Sequence, residues 1–133
     1  MSFDAQAIFA NLAEKETIKG HHSPEGRAIR TLGRTLSGWS AGNLAAVDVL
    51  VLCDQAIEDW LKAKLKLSAW STPALAELSV AAVEKEWLTR AAAVRLQRIR
   101  NARSRALREN ESVSNERVEE VLQFCIHLVE KHW

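Results

Sequence analysis

The chain has 133 residues, a net charge of +1, no tyrosine, and only five glycines and two prolines. This length suits one domain with one core, and the composition favours helices while offering little turn chemistry for a sheet. The near-neutral bulk charge does not argue for binding to nucleic acid, although a local run of arginines could support it. We therefore predict a single-domain, all-α bundle of five or six helices over residues 1–133, with N-terminal helices in 1–40 and a core in 44–132.

The sequence predicts a soluble, cytoplasmic protein. Asp4 lies near the N-terminus, where a signal peptide would carry a basic leader before an apolar run. The most apolar segment, residues 44–53, is too short to cross a bilayer. Cys53 and Cys125 occupy apolar helix positions without C-x-x-C spacing, which indicates buried free thiols rather than a disulfide or a reactive thiol.

Cap signals place the first two helices. The first is expected from residue 3 or 4 to about residue 16, before a break at residues 19–22. Ser23 as N-cap, Pro24 at the first helical position and Glu25 in the first turn open the second, which ends near Trp39. Three glycines inside the second helix weaken it.

The third helix, from about residue 44 to 67, is the longest and most apolar, so we predict that it is the central core helix. Its broad apolar face carries Val47, Leu50, Val51, Ile57, Trp60, Leu61 and Leu65. Thr72-Pro73 restarts a fourth helix, which carries Leu75, Leu78 and Val83. The sequence leaves open whether an interruption separates it from a helical run that starts at about Trp87.

A polar break at residues 109–113 precedes the last helix, which Ser114 caps and Glu116 supports in the first turn. This helix is expected to reach about residue 132. Its predicted buried residues are Val118, Val121, Leu122, Cys125 and Leu128.

The run from Arg90 to Arg108 contains seven arginines and neither lysine nor acid. At helical spacing, its apolar sector holds Leu88, Ala92, Leu96, Ile99, Ala106 and Leu107. Arg103 falls inside this sector; Arg95, Arg100 and Arg105 lie at its edges, and Arg90, Arg98 and Arg108 point away. A buried, unpaired arginine costs several kcal/mol, so Arg103 should meet an acid, an interface or an anionic ligand.

Two acids on the third helix are the ion-pair candidates for that run. Asp54 and Glu58 are four residues apart and share one helix face, where they could pair with Arg100 or Arg103. Such a network would fix the helix register, or it would form part of an anion site. The adjacent His21 and His22, and His127 with His132, have poor spacing for one metal ion, so we predict no metal site and no cofactor.

Residues 53–63, CDQAIEDWLKA, followed later by 96–105, LQRIRNARSR, resemble the HEPN superfamily. In that family a helix of the form apolar-x-x-A-(I/L)-E-x-x-L-K is followed by a helix with R-N-x-x-x-H, a polar break and a final amphipathic helix. The resemblance covers residues 44–132, about two-thirds of the chain. Arg100 and Asn101 fit the R-N pair, and Glu58 fits the acid of the earlier helix.

The histidine of the motif is absent, because its position holds Arg105. In active members, which resemble metal-independent ribonucleases, this histidine would take a proton from the ribose 2′-hydroxyl while the arginine stabilises the phosphate. Arg105 stays protonated at physiological pH and cannot be that base.

The resemblance implies a non-catalytic HEPN-like module in an RNA-linked, toxin–antitoxin or defence setting, which binds RNA or a partner protein. The binding candidates are Arg98, Arg100, Arg103, Arg105 and Arg108. One alternative is an endoribonuclease that uses Arg100, Asn101 and Glu58 with an unidentified base. The other is a helical dimer whose arginines form only interface ion pairs. The family implies homodimers with facing R-N motifs.

Overall fold

The computed structural model describes residues 4–68 and 75–131. They form six α-helices: α1 (Ala5–Lys19), α2 (Pro24–Ser40), α3 (Ala46–Lys64), α4 (Leu75–Glu84), α5 (Arg90–Arg108) and α6 (Asn115–Lys131). No strand occurs in these two ranges, and the prediction of an all-α bundle is confirmed. None of the helices described there has the combined length and apolarity that crossing a membrane requires.

Helix α3 occupies the centre of the bundle, where it packs against α2, α4, α5 and α6. Trp60 and Leu61 are enclosed, with 1% and 0% of their surface exposed, as predicted for the central helix. Val47, Val51 and Leu65 were assigned to the same apolar face but are only partly buried. They lie along one border of that face, roughly a quarter turn or more from its centre.

The start of α2 depends on the close approach of two glycines. Ser23 Oγ accepts a hydrogen bond from the Gly26 N–H (2.9 Å) and donates one to the Gly20 carbonyl (2.9 Å). A Cβ atom at residue 26 would collide with that same carbonyl oxygen, and Gly20 has a φ of +94°, in the region that favours glycine. The predicted cap is confirmed, and Gly26 is a packing requirement as well as a weak helix former.

Helix α1 is longer than predicted, since it continues to Lys19 instead of ending at Glu16. Its last turn is held against α2: the Glu16 carboxylate accepts hydrogen bonds from Arg30 Nε (2.9 Å) and His21 Nδ1 (2.7 Å). These tertiary partners extend the helix to Gly20, which closes it through a backbone bond to the Glu16 carbonyl (2.9 Å).

A turn separates α4 from α5, so the helical run starts at Arg90 rather than at Trp87. Glu86 has a φ of 64° in this turn, and Thr89 caps α5 by accepting from the Ala92 N–H (3.1 Å). Trp87 packs against Lys64 Nζ, which lies 5.0 Å from the ring centroid and 3.5 Å from Glu25. The predicted restart at Thr72-Pro73 and the side chain of Leu75 lie outside the described residues.

Helix α6 begins as predicted, with Ser114 Oγ accepting from the Arg117 N–H (3.2 Å). Its predicted core residues are all buried, and three further ones join them. The buried set is Val118, Val121, Leu122, Phe124, Cys125, Ile126, Leu128 and Val129. The helix therefore contributes an apolar face that closes the bundle over α3.

Candidate functional site

Helix α5 turns its apolar side chains toward the bundle and most of its arginines toward solvent. Leu96, Ile99 and Ala106 are buried. Leu107 was predicted in the apolar sector but is 55% exposed, and Val94, outside that sector, is 51% exposed. Leu107 lies at the border of the sector, where the buried face of the helix has narrowed to Ala106. That sector is thus narrower than the sequence pattern indicated.

Arg103 enters the apolar sector and meets Asp54 of α3. Its Nη1 donates to Asp54 Oδ2 at 2.6 Å, and the two side chains are 27% and 2% exposed. The charge-assisted bond links α5 to α3 and stabilises their register, while Arg103 Nε is buried without a hydrogen-bond partner among the described residues. Of the three partners expected for Arg103, an acid, an interface or an anionic ligand, the structure shows an acid, Asp54.

The residues that would serve a nuclease do not converge on one site. Glu58 lies 3.7 Å from Lys62 Nζ on its own helix rather than beside an arginine of α5. Asn101 Oδ1 accepts from Gln97 Nε2 at 3.1 Å. Arg100 is partly buried and has no acid within ion-pair distance in the described part of the chain. No described contact joins Arg100, Asn101 and Glu58.

The position at which the resemblance predicts a histidine carries an arginine in an exposed ion pair. Arg105 Nε lies 3.3 Å from Glu111 Oε2, with side-chain exposures of 50% and 54%. His127 is exposed on α6. His21 lies in the connection between α1 and α2, where it donates to Glu16. Helices α5 and α6 run antiparallel, and Phe124 of α6 lies beside Arg95 of α5. Counting along both helices from this contact puts His127 on the order of 12 Å from Arg100, measured along the helix axis.

A groove between α5 and α6 gathers arginines from both helices. One cavity there, of about 80 Å³, is lined by Arg95, Arg98, Ile99, Arg117, Glu120, Val121 and Phe124. A second cavity, of about 450 Å³, is lined by Ala102, Arg105, Glu111, Ser112, Val113, Ser114 and Arg117, and we call it the corner groove. Arg95 covers the Phe124 ring, with its guanidinium carbon 4.2 Å from the centroid. This cation–π contact occupies the aromatic face that the groove offers.

Sequence reasoning missed Arg117 and the two serines of the corner groove. The available signal was the short polar break at residues 109–113, because a short connection forces consecutive helices to lie antiparallel. Arg117, one turn into α6, then has to lie beside the last turns of α5. The periodicity of α5 alone contains no information about this neighbour.

The cysteines are buried and free, as predicted. A hydrogen bond with Cys53 and burial raise the pKa of the Cys125 thiol well above its usual value. A protonated, enclosed thiol is a poor nucleophile, so this pair belongs to the core between α3 and α6 rather than to a reactive site.

Among the described residues, no three His, Cys, Asp or Glu side chains converge as a metal site would require. The groups available for binding in this region are the guanidinium and hydroxyl groups of α5, α6 and the loop between them. Comparisons of the chain with protein-family models, curated proteins and solved structures found no significant match.

Proposed function

We propose that this chain is a non-catalytic HEPN-like module that binds RNA phosphates through the arginines of α5. One observation carries the proposal: Arg90, Arg98, Arg100 and Arg108 have no acidic side chain within ion-pair distance in residues 4–68 and 75–131. Three of the four are exposed, and Arg100 is partly buried. Guanidinium groups without a protein partner are suited to bidentate contacts with phosphate oxygens.

The chemistry of this surface favours weak, salt-sensitive binding with little sequence preference. Phosphate contacts release counterions and carry no base information. Stacking on aromatic rings would add affinity, but Phe124 is only 9% exposed and lies under Arg95. The resemblance to HEPN proteins supports RNA as the polyanion and suggests a toxin–antitoxin or defence setting.

The absence of a general base in the expected place supports a non-catalytic role. Arg105 replaces the histidine of the motif, and its guanidinium can stabilise a phosphate but cannot accept a proton. Its partner Glu111 is an exposed loop carboxylate that holds Arg105 at 3.3 Å. Binding without strand cleavage is the behaviour that this arrangement favours.

The test titrates a single-stranded oligoribonucleotide, with hydroxyl groups at both ends, with the protein. Binding is measured by fluorescence anisotropy at several salt concentrations. In the Arg98→Ala, Arg108→Ala double variant, the log–log salt slope should become shallower by about 1.4, at about 0.7 per lost phosphate contact. The matched control is Arg34→Ala, Lys131→Ala, which removes two exposed charges from α2 and α6. The control should keep the wild-type slope.

If the double variant keeps both the slope and the affinity of the wild type, the α5 arginines do not bind RNA and the proposal fails. The same arginines would then be available to an acidic protein partner. A pull-down that loses one defined acidic partner in the double variant, with RNA binding unchanged, would establish that alternative.

The proposal includes a homodimer formed partly through α5, as the resemblance implies. Arg103 no longer argues for it, since that arginine is paired within the chain. The remaining support on α5 is Leu107, an apolar side chain that is 55% exposed. Light scattering at roughly 10–50 µM, a range suited to ordinary dimer affinities, should give twice the chain mass, and a clean monomer would contradict the dimer.

A further inference from the structure

The corner groove brings hydrogen-bond donors from three separate segments to one place. Arg105 comes from the last turns of α5, Arg117 from the first turn of α6, and Ser112 and Ser114 from the loop between them. Its volume of about 450 Å³ falls in the range of small-ligand sites, which run from about 300 to 1,000 Å³. A groove of this size has room for a phosphate and the sugar attached to it.

Both arginines keep open donors. Arg105 faces Glu111 with Nε, and its guanidinium carries two further nitrogens that can donate. Arg117 Nη1 lies 4.0 Å from Glu120 Oε2, at the limit of an ion pair, with the two side chains 44% and 62% exposed. Exposed pairs of this kind contribute little stability, so an anion with more charge can replace the carboxylates.

The serine hydroxyls complete the donor set. Ser114 Oγ already accepts from the Arg117 N–H at 3.2 Å, and its own proton remains available for donation. Val113, between the serines, packs against the hydrophobic core and anchors the loop. The two hydroxyls are therefore held at the groove by an apolar contact that does not depend on a ligand.

We propose that the corner groove binds a terminal phosphate monoester. A monoester carries about −1.5 to −2 charges at pH 7 and matches two arginines better than a single-charged diester does. The position of the groove is compatible with this, because it lies beside the C-terminal end of α5 and the loop to α6. For the end of an RNA strand, the inference rests on the proposed RNA binding. Free nucleotides carry the same phosphate monoester group.

The experiment compares four probes on the full chain: one oligoribonucleotide sequence with a 5′-phosphate, with a 3′-phosphate, or with hydroxyl ends, and a nucleoside 5′-monophosphate. At least one phosphorylated end should bind about tenfold more tightly than the hydroxyl form, the gain expected from added charge-assisted hydrogen bonds. Arg117→Gln should abolish this ratio, and Glu111→Gln should increase it because a competing carboxylate is removed. Arg108→Gln is the matched control, which should weaken all RNA probes alike and leave the ratio intact.

The outcomes separate the two proposals. Equal affinity for phosphorylated and hydroxyl-ended RNA overturns the corner site while leaving RNA binding by α5 standing. A ratio that survives Arg117→Gln overturns it as well, provided that circular dichroism shows an unchanged fold. If the nucleoside monophosphate binds as tightly as the phosphorylated RNA and hydroxyl-ended RNA does not bind, the corner site is supported with a small phosphate ester as its ligand, and the proposed RNA binding fails.

Discussion

Helices α3 and α5 have the same length, 19 residues, and both carry several charges, but they use them in opposite ways. Four charged side chains of α3 have ion-pair partners within the bundle: Asp54 pairs with Arg103, Glu58 with Lys62, and Lys64 with Glu25. On α5, Arg103 is the only arginine whose charge is paired in the protein interior among the described residues. A paired, buried charge defines how helices pack, whereas an unpaired, exposed cation is available to a ligand.

The same contrast holds for apolar residues. Helix α3 buries seven apolar residues and α5 only three, so α3 supplies core stability while α5 supplies surface. The two helices should therefore respond differently to identical substitutions. Each of the following measurements tests that difference.

The largest effect is expected from leucine truncation. Leu61→Ala removes a side chain with no exposed surface and should lower the free energy of unfolding by about 2–5 kcal/mol in urea denaturation. Leu107→Ala, on the exposed side of α5, should change it by less than about 0.5 kcal/mol. A cost above about 1 kcal/mol for Leu107→Ala would show that α5 is covered in solution, as in the proposed dimer.

The next effect compares two ion pairs of α5. Arg103→Ala leaves the Asp54 carboxylate buried and unpaired, which should cost about 2–4 kcal/mol after allowing for the partial exposure of Arg103. Arg105→Ala breaks the exposed pair with Glu111 and should cost less than about 1 kcal/mol. A double-mutant cycle with Asp54→Asn isolates the coupling, and equal costs at residues 103 and 105 would refute the distinction.

A smaller, pH-dependent effect is expected at the rim between α1 and α2. Partial burial raises the pKa of Glu16, but the hydrogen bonds from His21 and Arg30 outweigh it and lower the pKa below its ordinary 4.5. Glu16 therefore stabilises the fold above about pH 4.5, and this contribution is lost as the pH falls through the folded pKa. The stability difference between wild type and Glu16→Gln, of about 1 kcal/mol or less, should shrink over that acid range. A difference that grows in acid would contradict the sign.

The last prediction is an absence of activity. Purified protein should not cleave RNA, with or without divalent metal. The reason is that position 105 lacks a base and His127 is distant from Arg100. Turnover that disappears in Arg100→Ala but persists in Arg90→Ala would show that the α5 surface is catalytic.

Local signals predicted much of this fold. Ser23-Pro24 and Ser114 located the starts of α2 and α6, and helical spacing put Trp60 and Leu61 in the centre and Arg103 on a buried face. Spacing could not choose between Asp54 and Glu58 as partner, because that choice depends on the axial shift between α3 and α5. It also missed Arg117, since periodicity describes one helix and the corner groove needs two. Leu107 was assigned wrongly because a periodic pattern does not reveal how much of a helix face its neighbours cover.

The reactivity of the buried cysteine pair can be used to measure how often the bundle opens locally. Cys53 and Cys125 each have 0% exposed surface, on facing helices of the core. A thiol reagent can reach them only when α3 and α6 separate, and the raised pKa of Cys125 keeps its direct reaction slow. The rate of thiol labelling therefore measures how often α3 and α6 separate. This is a local opening, and its free energy can be lower than the free energy of global unfolding.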